Sequence, residues 1–271
     1  MHPDLFQIGP LTLHSFGLMV ALGFLCAYFA LGFMVRRGLF PKLREEDISR
    51  LIVMAMIGGA LGARIAYVCE HWTAEYAGQP FLEMLRFDKG GLMFYGGLIG
   101  AVLVTGVMMR IGRMPVMQSL DACATVVPLG HAFGRVGCFL NGCCFGRVCD
   151  SPISVTYPAR SPAWWEQVGA GLIGRGAPES LPVLPSQLIE AAANLLLFAA
   201  LAGVARRKPS EGLLSGVYLV SYAVIRFFTE TLRGDPRMSV MALSISQFLS
   251  LAALVAGIVL MARSRMKTGD A

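Results

Sequence analysis

Seven long apolar segments are the feature that most constrains what this chain can fold into. Each is close to the ~20 residues that a helix needs to cross the hydrocarbon core of a bilayer. The predicted spans lie near residues 15–35, 49–69, 91–109, 117–134, 187–205, 212–232 and 244–262. Runs of this length predict helices, because the strands of a membrane barrel are shorter and alternate apolar with polar residues.

The composition indicates the same class of protein. Of the 271 residues, 55% are hydrophobic and 15% are charged, whereas soluble domains carry about a quarter charged residues. We therefore predict an all-α integral membrane protein with about seven transmembrane helices, folded as a single polytopic domain over residues 1–271. The net charge of +6 does not indicate a nucleic-acid partner, since membrane proteins gather basic residues in cytoplasmic loops.

Lysine and arginine are divided unequally between the two sides of the predicted membrane. Thirteen lie on one side, in residues 36–50, 110–113, 206–208 and 263–267, and eight lie on the other. The positive-inside rule makes the richer side cytoplasmic, so we expect the N-terminus outside and the C-terminus inside. The one long connection, residues 135–185, then lies on the outer face. Its Trp164 and Trp165 predict contact with the lipid headgroup zone.

Ionisable residues inside the spans are the first candidates for function, because they are costly there. Arg64 lies in GGALGARIAYV, whose small residues would let helices approach closely. Two interpretations stay open for it: a structural arginine paired with a carboxylate such as Glu70 or Asp121, or a functional residue. Tyr95, at the start of the third span, is either an interfacial aromatic residue or a site residue.

A polar stripe runs along the sixth span. Tyr222, Arg226 and Glu230 are spaced by four residues, and Arg233 follows Arg226 by seven, so a helix would place all four on one face. An ion pair between Arg226 and Glu230 would serve helix packing alone. Two arginines with one carboxylate leave a surplus positive charge, however, which favours an anion site.

Residues 130–146, GHAFGRVGCFLNGCCFG, combine Arg135 with glycines and thiols where the fourth span ends. His131 precedes Arg135 by one helical turn. Glycines such as Gly142 and Gly146 would let the backbone approach a ligand, and their free N–H groups are expected to contact phosphate. Arginine binds phosphate through paired donors. With Arg135, Arg226 and Arg233 all near the outer half of the membrane, the most available anion is a phospholipid headgroup.

Four cysteines follow in the spacing C-x4-C-C-x4-C, at Cys138, Cys143, Cys144 and Cys149. This spacing matches none of the common zinc or iron–sulfur patterns, so no metal site is expected. Buried inert thiols or a structural disulfide are favoured over a metal site, and a catalytic thiol comes last.

These stretches together resemble the bacterial prolipoprotein diacylglyceryl transferases. The matching pieces occur in the family's order and cover most of the chain: HSFGLM (14–19), GARIAYV (62–68), GLMFYGGLIG (91–100), GRVGCFLNG (134–142), FGR (145–147), PSQLIE (185–190) and SYAVIRFFTETLR (221–233). The family transfers the diacylglyceryl group of phosphatidylglycerol to the cysteine thiol of a prolipoprotein signal peptide. A thioether forms and glycerol phosphate leaves.

The resemblance implies the same activity here, in the bacterial inner membrane and without a metal ion or other cofactor. Arg135 is similar to the family's phosphatidylglycerol-binding arginine, and Arg226 to its second essential arginine. The predicted catalytic residues are Arg135, Arg226, Glu230, His131 and Tyr95. The predicted substrate-binding residues are Arg135, Arg233, Tyr222, Asn141, Gly142, Gly146 and Arg64.

The chain departs from the common family pattern in a way that makes it a cysteine-rich variant. Cys138 replaces an asparagine, Cys143 a glutamate and Tyr95 a histidine, while Phe16 and Leu184 replace a tyrosine and a histidine. The base that takes the proton of the substrate thiol is then Tyr95 or His131, or the arginines lower the thiol pKa directly.

Two other classes of function compete with this interpretation. A small transporter or lipid-binding membrane protein would also use intramembrane arginines and broken helices, although no inverted repeat is visible. A membrane thiol–disulfide protein would use Cys143 and Cys144, although these do not form a C-x-x-C pair.

Overall fold

A computed structural model describes residues 4–8, 11–86, 90–235, 239–240 and 243–269. The helices within these ranges are α1 (Ser15–Arg36), α2 (Glu45–Glu70), α3 (Phe81–Met84), α4 (Phe94–Ile111), α5 (Val116–Asn141), α6 (Pro162–Gly169), α7 (Ser186–Ala205), α8 (Leu213–Thr231) and α9 (Ile245–Gly269). A single π-helical turn follows α2 at Trp72–Tyr76. The strands form two short antiparallel hairpins, β1 (Asp4–Ile8) with β2 (Leu11–His14) and β3 (Ser239–Val240) with β4 (Leu243–Ser244).

Seven of the described helices are long and apolar enough to cross a membrane: α1, α2, α4, α5, α7, α8 and α9. The predicted all-α membrane fold is therefore confirmed, including the number and order of its spans. Helix α5 is longer than predicted, because it continues from residue 134 to Asn141. Arg135 and Cys138 consequently lie in its last two turns, and the long connection begins at residue 142.

Backbone contacts divide the chain into two compact units. One contains residues 1–29 and 120–271, and the other contains residues 30–119. The single polytopic domain stays a prediction.

Facing glycines bring α2 and α4 together in the 30–119 unit. A Cβ placed on Gly62 would lie 2.3 Å from the carbonyl oxygen of Gly96, and one on Gly100 would lie 2.2 Å from that of Gly58. Any side chain would collide with backbone here, so the helices pack as closely as small residues permit. This is the close approach that the small residues around Arg64 predicted.

Asp121 of α5 anchors the start of α8 in the larger unit. Helix α8 begins after Gly212, which has no capping side chain of its own. The carboxylate of Asp121 replaces the missing cap by accepting hydrogen bonds from Gly212 N at 2.7 Å and from the backbone N and hydroxyl of Ser215 at 2.8 and 2.7 Å. A negative charge also suits the positive end of the helix dipole. Asp121 therefore fixes where α8, the helix of Arg226, begins.

The connection between α5 and α7 is folded. Phe145, Tyr157, Ala163 and Val183 form a small buried core within it. Trp164 is buried and donates its indole N–H to the carbonyl of Ala177 at 2.9 Å. The prediction that both tryptophans face the headgroup zone is wrong for Trp164, because only 3% of this residue is exposed; Trp165 is 53% exposed.

We expect Gly62→Ala to destabilise the protein more than Gly59→Ala, one helical turn away. The new methyl group at position 62 would meet backbone at 2.3 Å, whereas at position 59 its nearest neighbour would be the Gly97 oxygen at 3.8 Å. Overpacking of this kind costs about 1–3 kcal/mol. Thermal unfolding of both variants in detergent measures the difference, and equal unfolding temperatures would contradict the close packing.

Candidate functional site

Three helices of the larger unit place charged side chains around one buried carboxylate. Oε1 of Glu190, in the second turn of α7, lies 3.0 Å from Nη2 of Arg135 on α5. Its Oε2 lies 3.8 Å from Nη1 of Arg226 on α8. The exposed fractions of these side chains are 3%, 12% and 9%, respectively. Glu190 therefore holds two arginines of different helices close to each other in a water-poor environment.

Arg226 keeps one donor without a hydrogen-bond partner. Its guanidinium pairs with Glu230 one turn along α8, and Nη2 also donates to the hydroxyl of Ser246 on α9 at 3.1 Å. Nη1 is buried, and among the described residues it makes no hydrogen bond. A buried N–H without an acceptor is costly, so this atom suits the oxygen of a bound anion.

His131 and Tyr222 adjoin the arginine of α5. The Nε of Arg135 donates to Nε2 of His131 at 3.1 Å. This Nε2 atom of His131 also lies 3.5 Å from Oε1 of Glu190. The His131 ring lies 5.4 Å from that of Tyr222, which stacks on Tyr218. The structure thus brings together five of the predicted site residues, namely Arg135, His131, Tyr222, Arg226 and Glu230.

Arg233 departs from the predicted stripe, because α8 ends at Thr231. Its guanidinium instead donates to both oxygens of Asp235, at 2.8 Å each, in the paired geometry that arginine favours. Burial opposes the charge of Arg233, but its hydrogen bond to Asp235 and the neighbouring Cys144 thiolate raise the pKa of the guanidinium above its ordinary value.

The surplus positive charge predicted from α8 alone is not found among the described residues. Glu190 and Asp235 add two carboxylates from outside the stripe. Three arginines are then matched by three carboxylates: Arg135, Arg226 and Arg233 with Glu190, Glu230 and Asp235. To bind here, an anion would have to displace a carboxylate or meet the donor of Arg226 that makes no hydrogen bond among the described residues.

A tight turn ends α5 and reverses the chain. Gly142 adopts a φ of +77°, its N–H donates to Phe139 O at 3.2 Å, and the N–H of Cys143 donates to Cys138 O at 3.1 Å. These two bonds are the Schellman pattern of a helix C-terminus, which favours glycine at the left-handed position. A Cβ on Gly142 would also lie 2.9 Å from the ring of Tyr157.

The predicted role of the glycine N–H groups in phosphate binding is not supported. The N–H of Gly142 is used in the turn, and that of Gly146 donates to Leu184 O at 2.9 Å. Gly146 serves close backbone packing instead, because a Cβ there would lie 2.5 Å from the same oxygen. Asn141 hydrogen-bonds through its side chain to Cys143.

The turn gathers three thiols at the end of α5. The sulfur atoms of Cys138, Cys143 and Cys144 all lie within 4.8 Å of one another, whereas Cys149 is not part of the group. Hydrogen bonds from Cys138 and Cys143 hold the pKa of the Cys144 thiol far below its usual range. The charges of Arg233 and Arg135 act in the same direction, against the effect of burial. We call these three residues the thiol cluster.

Two predicted site residues belong to the 30–119 unit. Arg64 donates to the carbonyl oxygens of Met84, Gly90, Gly91 and Glu83 and to the hydroxyl of Tyr76, at 2.8 to 3.2 Å. Its acceptors are thus backbone oxygens and a phenol, where the sequence suggested Glu70 or Asp121. This supports a structural role, in which Arg64 organises the segment between α2 and α4. Tyr95 lies in the first turn of α4 and is 38% exposed.

Glu190 lies in the PSQLIE motif but is not among the site residues predicted from the sequence. Gln187, Glu190 and Asn194 lie on one face of α7 and are all buried. The same spacing rule that selected Tyr222, Arg226 and Glu230 on α8 would have selected this face of α7.

The model of the prolipoprotein diacylglyceryl transferase family matches residues 3–263. This chain belongs to that family. It is 30% identical over 261 residues to phosphatidylglycerol–prolipoprotein diacylglyceryl transferase 2 of Clostridium perfringens, covering 96% of this chain and 94% of the relative.

Two further relatives carry the name phosphatidylglycerol–prolipoprotein diacylglyceryl transferase. That of Clostridium tetani is 31% identical over 258 residues, covering 95% of this chain and 96% of the relative. That of Rhodospirillum rubrum is 34% identical over 273 residues, covering 97% and 92%. The family and the transferase class predicted from the sequence are confirmed.

Proposed function

We propose that this family member transfers the diacylglyceryl group of phosphatidylglycerol to the lipobox cysteine of prolipoprotein signal peptides, and that the arginines around Glu190 bind the lipid phosphate. The observation that carries the site assignment is the shared carboxylate. It keeps Arg135 and Arg226 within reach of one small anion, and Nη1 of Arg226 makes no hydrogen bond within the part of the chain that the structure describes.

Glu190 prepares the site for a phosphate in this proposal. Two buried guanidiniums would repel each other without an anion between them, so the carboxylate fixes their spacing in the free protein. A phosphodiester carries one negative charge and several acceptor oxygens. It can therefore accept from Nη1 of Arg226 and take over contacts of Arg135 that Glu190 makes in the free state.

The arginines then assist bond breaking. The substrate thiolate attacks the glyceryl carbon that carries the phosphate, a carbon–sulfur bond forms, and the carbon–oxygen bond breaks. Glycerol phosphate leaves with the bonding electrons, so negative charge grows on its phosphate. Donors that are already in place and shielded from water stabilise this charge, and one such donor contributes ~3–4 kcal/mol.

His131 takes the thiol proton in this scheme. Its Nε2 accepts from Arg135 and lies 3.5 Å from Glu190. A proton that arrives on Nε2 turns the contact between His131 and Glu190 into a charged hydrogen bond to the carboxylate. It also releases the Nε of Arg135, which can then donate to the phosphate. Tyr95 stays a second predicted base, at the start of α4.

The alternative function, a transporter or lipid-binding protein, is not favoured by the comparisons, because the relatives carry transferase names. Phosphate binding by buried arginines is common to both functions. Only the transferase predicts a thioether product.

We expect Arg135→Ala and Arg226→Ala each to lower the rate of transfer about 100–1000-fold, the usual effect of removing one preorganised donor. The assay follows the label of phosphatidylglycerol carrying labelled acyl chains into a lipobox peptide in detergent. Arg147→Ala is the matched control, because Arg147 is exposed and lies twelve residues after Arg135. Near-normal transfer by both variants would contradict the site, and no product from folded wild-type protein would contradict the function.

We expect His131→Ala to lower transfer about 100-fold, as is typical for loss of a general base. A base acts in its unprotonated form, so wild-type activity should fall as the pH is lowered, and the variant should lose this dependence. The control is His71→Ala, since His71 stacks on Tyr67 in the 30–119 unit. Near-normal turnover with an unchanged pH profile would rule out His131 as the base.

We further propose that the protein lies in the bacterial inner membrane, with the N-terminus outside and the C-terminus in the cytoplasm. The distribution of lysine and arginine supports this orientation, and seven spans place the two termini on opposite sides. A reporter enzyme that is active only in the periplasm should be inactive when fused to the C-terminus and active when fused within residues 170–176. The reverse pattern would contradict the orientation.

A further inference from the structure

The proposed transfer scheme leaves the thiol cluster without a role. Cys138 lies in the last turn of α5, and Cys143 and Cys144 follow the turn at Gly142. Their sulfur atoms all lie within 4.8 Å of one another. Two sulfur ligands of one ion, each about 2.3 Å from it, are roughly 4 Å apart. The free cluster is therefore close to the spacing that a shared ion requires.

The backbone holds this arrangement at a conformational cost. Cys144 adopts a φ of +60°, in the left-handed region that non-glycine residues rarely occupy. Side chains at the start of α7 fix the turn: Gln187 donates to Cys143 O at 2.8 Å, and Ser186 donates to Cys144 O at 3.1 Å. A strained conformation that neighbours maintain in this way points to a use for the side chain it directs.

The charges around the cluster favour a thiolate at one of its members, Cys144. Arg233 hydrogen-bonds to the sulfur of Cys144, and the charge of Arg135 acts on both Cys138 and Cys144. Thiolates are the form in which cysteine binds metal ions. All three donors are sulfur, and soft ligands of this kind select soft cations over Mg²⁺, Ca²⁺ or Mn²⁺.

We propose that Cys138, Cys143 and Cys144 form a binding site for Cu(I). Structural zinc sites are almost always four-coordinate, whereas this cluster offers three sulfurs and no fourth sulfur, histidine or carboxylate ligand among the described residues. Binding releases the remaining thiol protons to solvent. The ion and three thiolates then carry a net charge of −2, and the guanidiniums of Arg135 and Arg233 act on this charge from close by. The cluster adjoins Arg135 of the proposed lipid site, but binding of Cu(I) does not require the transfer reaction.

Titration of the purified full-length protein with Cu(I) tests the proposal directly. The protein is kept in detergent under anaerobic, reducing conditions, and a chromophoric Cu(I) chelator competes for the ion. We expect one Cu(I) per chain, and X-ray absorption should show three sulfur neighbours and no nitrogen or oxygen. Cys144→Ser and Cys143→Ser should each weaken binding by at least about 100-fold, because loss of a ligand costs more than the ~10–100-fold typical of a group that only supports a ligand.

Cys149→Ser is the matched control, because Cys149 lies five residues after Cys144 and outside the cluster. It should bind Cu(I) like the wild type. Unfolding temperatures of all variants are compared, and the coordination of the wild type tests the site even where a variant does not fold. The proposal would be overturned if the wild type did not compete with the chelator for Cu(I). It would also be overturned if Cys144→Ser bound Cu(I) as tightly as the wild type, or if Cys149→Ser lost as much affinity as Cys144→Ser.

Two other results would replace it. Tighter binding of Zn(II) than of Cu(I), measured against a zinc chelator, would make the site a zinc site. The free thiols of the protein can also be titrated before any reduction. If only five of the seven react and the two unreactive ones lie in the cluster, the cluster holds a disulfide. The titration contains no phosphatidylglycerol and no peptide, so an inactive transferase would leave its outcome unaffected.

Discussion

A buried carboxylate shared between two arginines is the interaction on which the proposed site depends. Glu190 of α7 lies 3.0 Å from a donor of Arg135 on α5 and 3.8 Å from one of Arg226 on α8. Breaking a buried ion pair by removing one partner typically costs ~3–5 kcal/mol, because a charge is left without compensation. The three helices therefore stay together at the end where α5 terminates, and a site with two close positive groups exists before any lipid arrives.

The seven helices could be predicted from sequence because the bilayer imposes a length and a composition on each of them. The face of α8 that carries Tyr222, Arg226 and Glu230 could be predicted for a similar reason, since helical spacing is a local property. Arg233 was placed wrongly because the helix ends two residues earlier. Backbone pairing of Gly146 with Arg233 holds that segment beside the connection after α5.

The contact of Glu190 with Arg135 and Arg226 could not be predicted from local patterns. Glu190 follows Arg135 by 55 positions and precedes Arg226 by 36. The thiol cluster escaped prediction for a different reason. The spacing of Cys138, Cys143 and Cys144 matches no common metal motif, and only the left-handed conformations of Gly142 and Cys144 bring the sulfurs together. The burial of Trp164 likewise depends on how the 142–185 connection folds.

Binding of the lipid can be measured apart from the transfer reaction, and it shows whether Arg226 and its partners hold the phosphate. Native mass spectrometry of the wild type and of Arg226→Gln, each exchanged into detergent with a fixed ratio of phosphatidylglycerol, measures how many chains retain the lipid. We expect one retained phosphatidylglycerol on the wild type and marked loss from the variant, with Arg147→Gln behaving like the wild type. Equal retention by all three proteins would show that the lipid phosphate is held elsewhere.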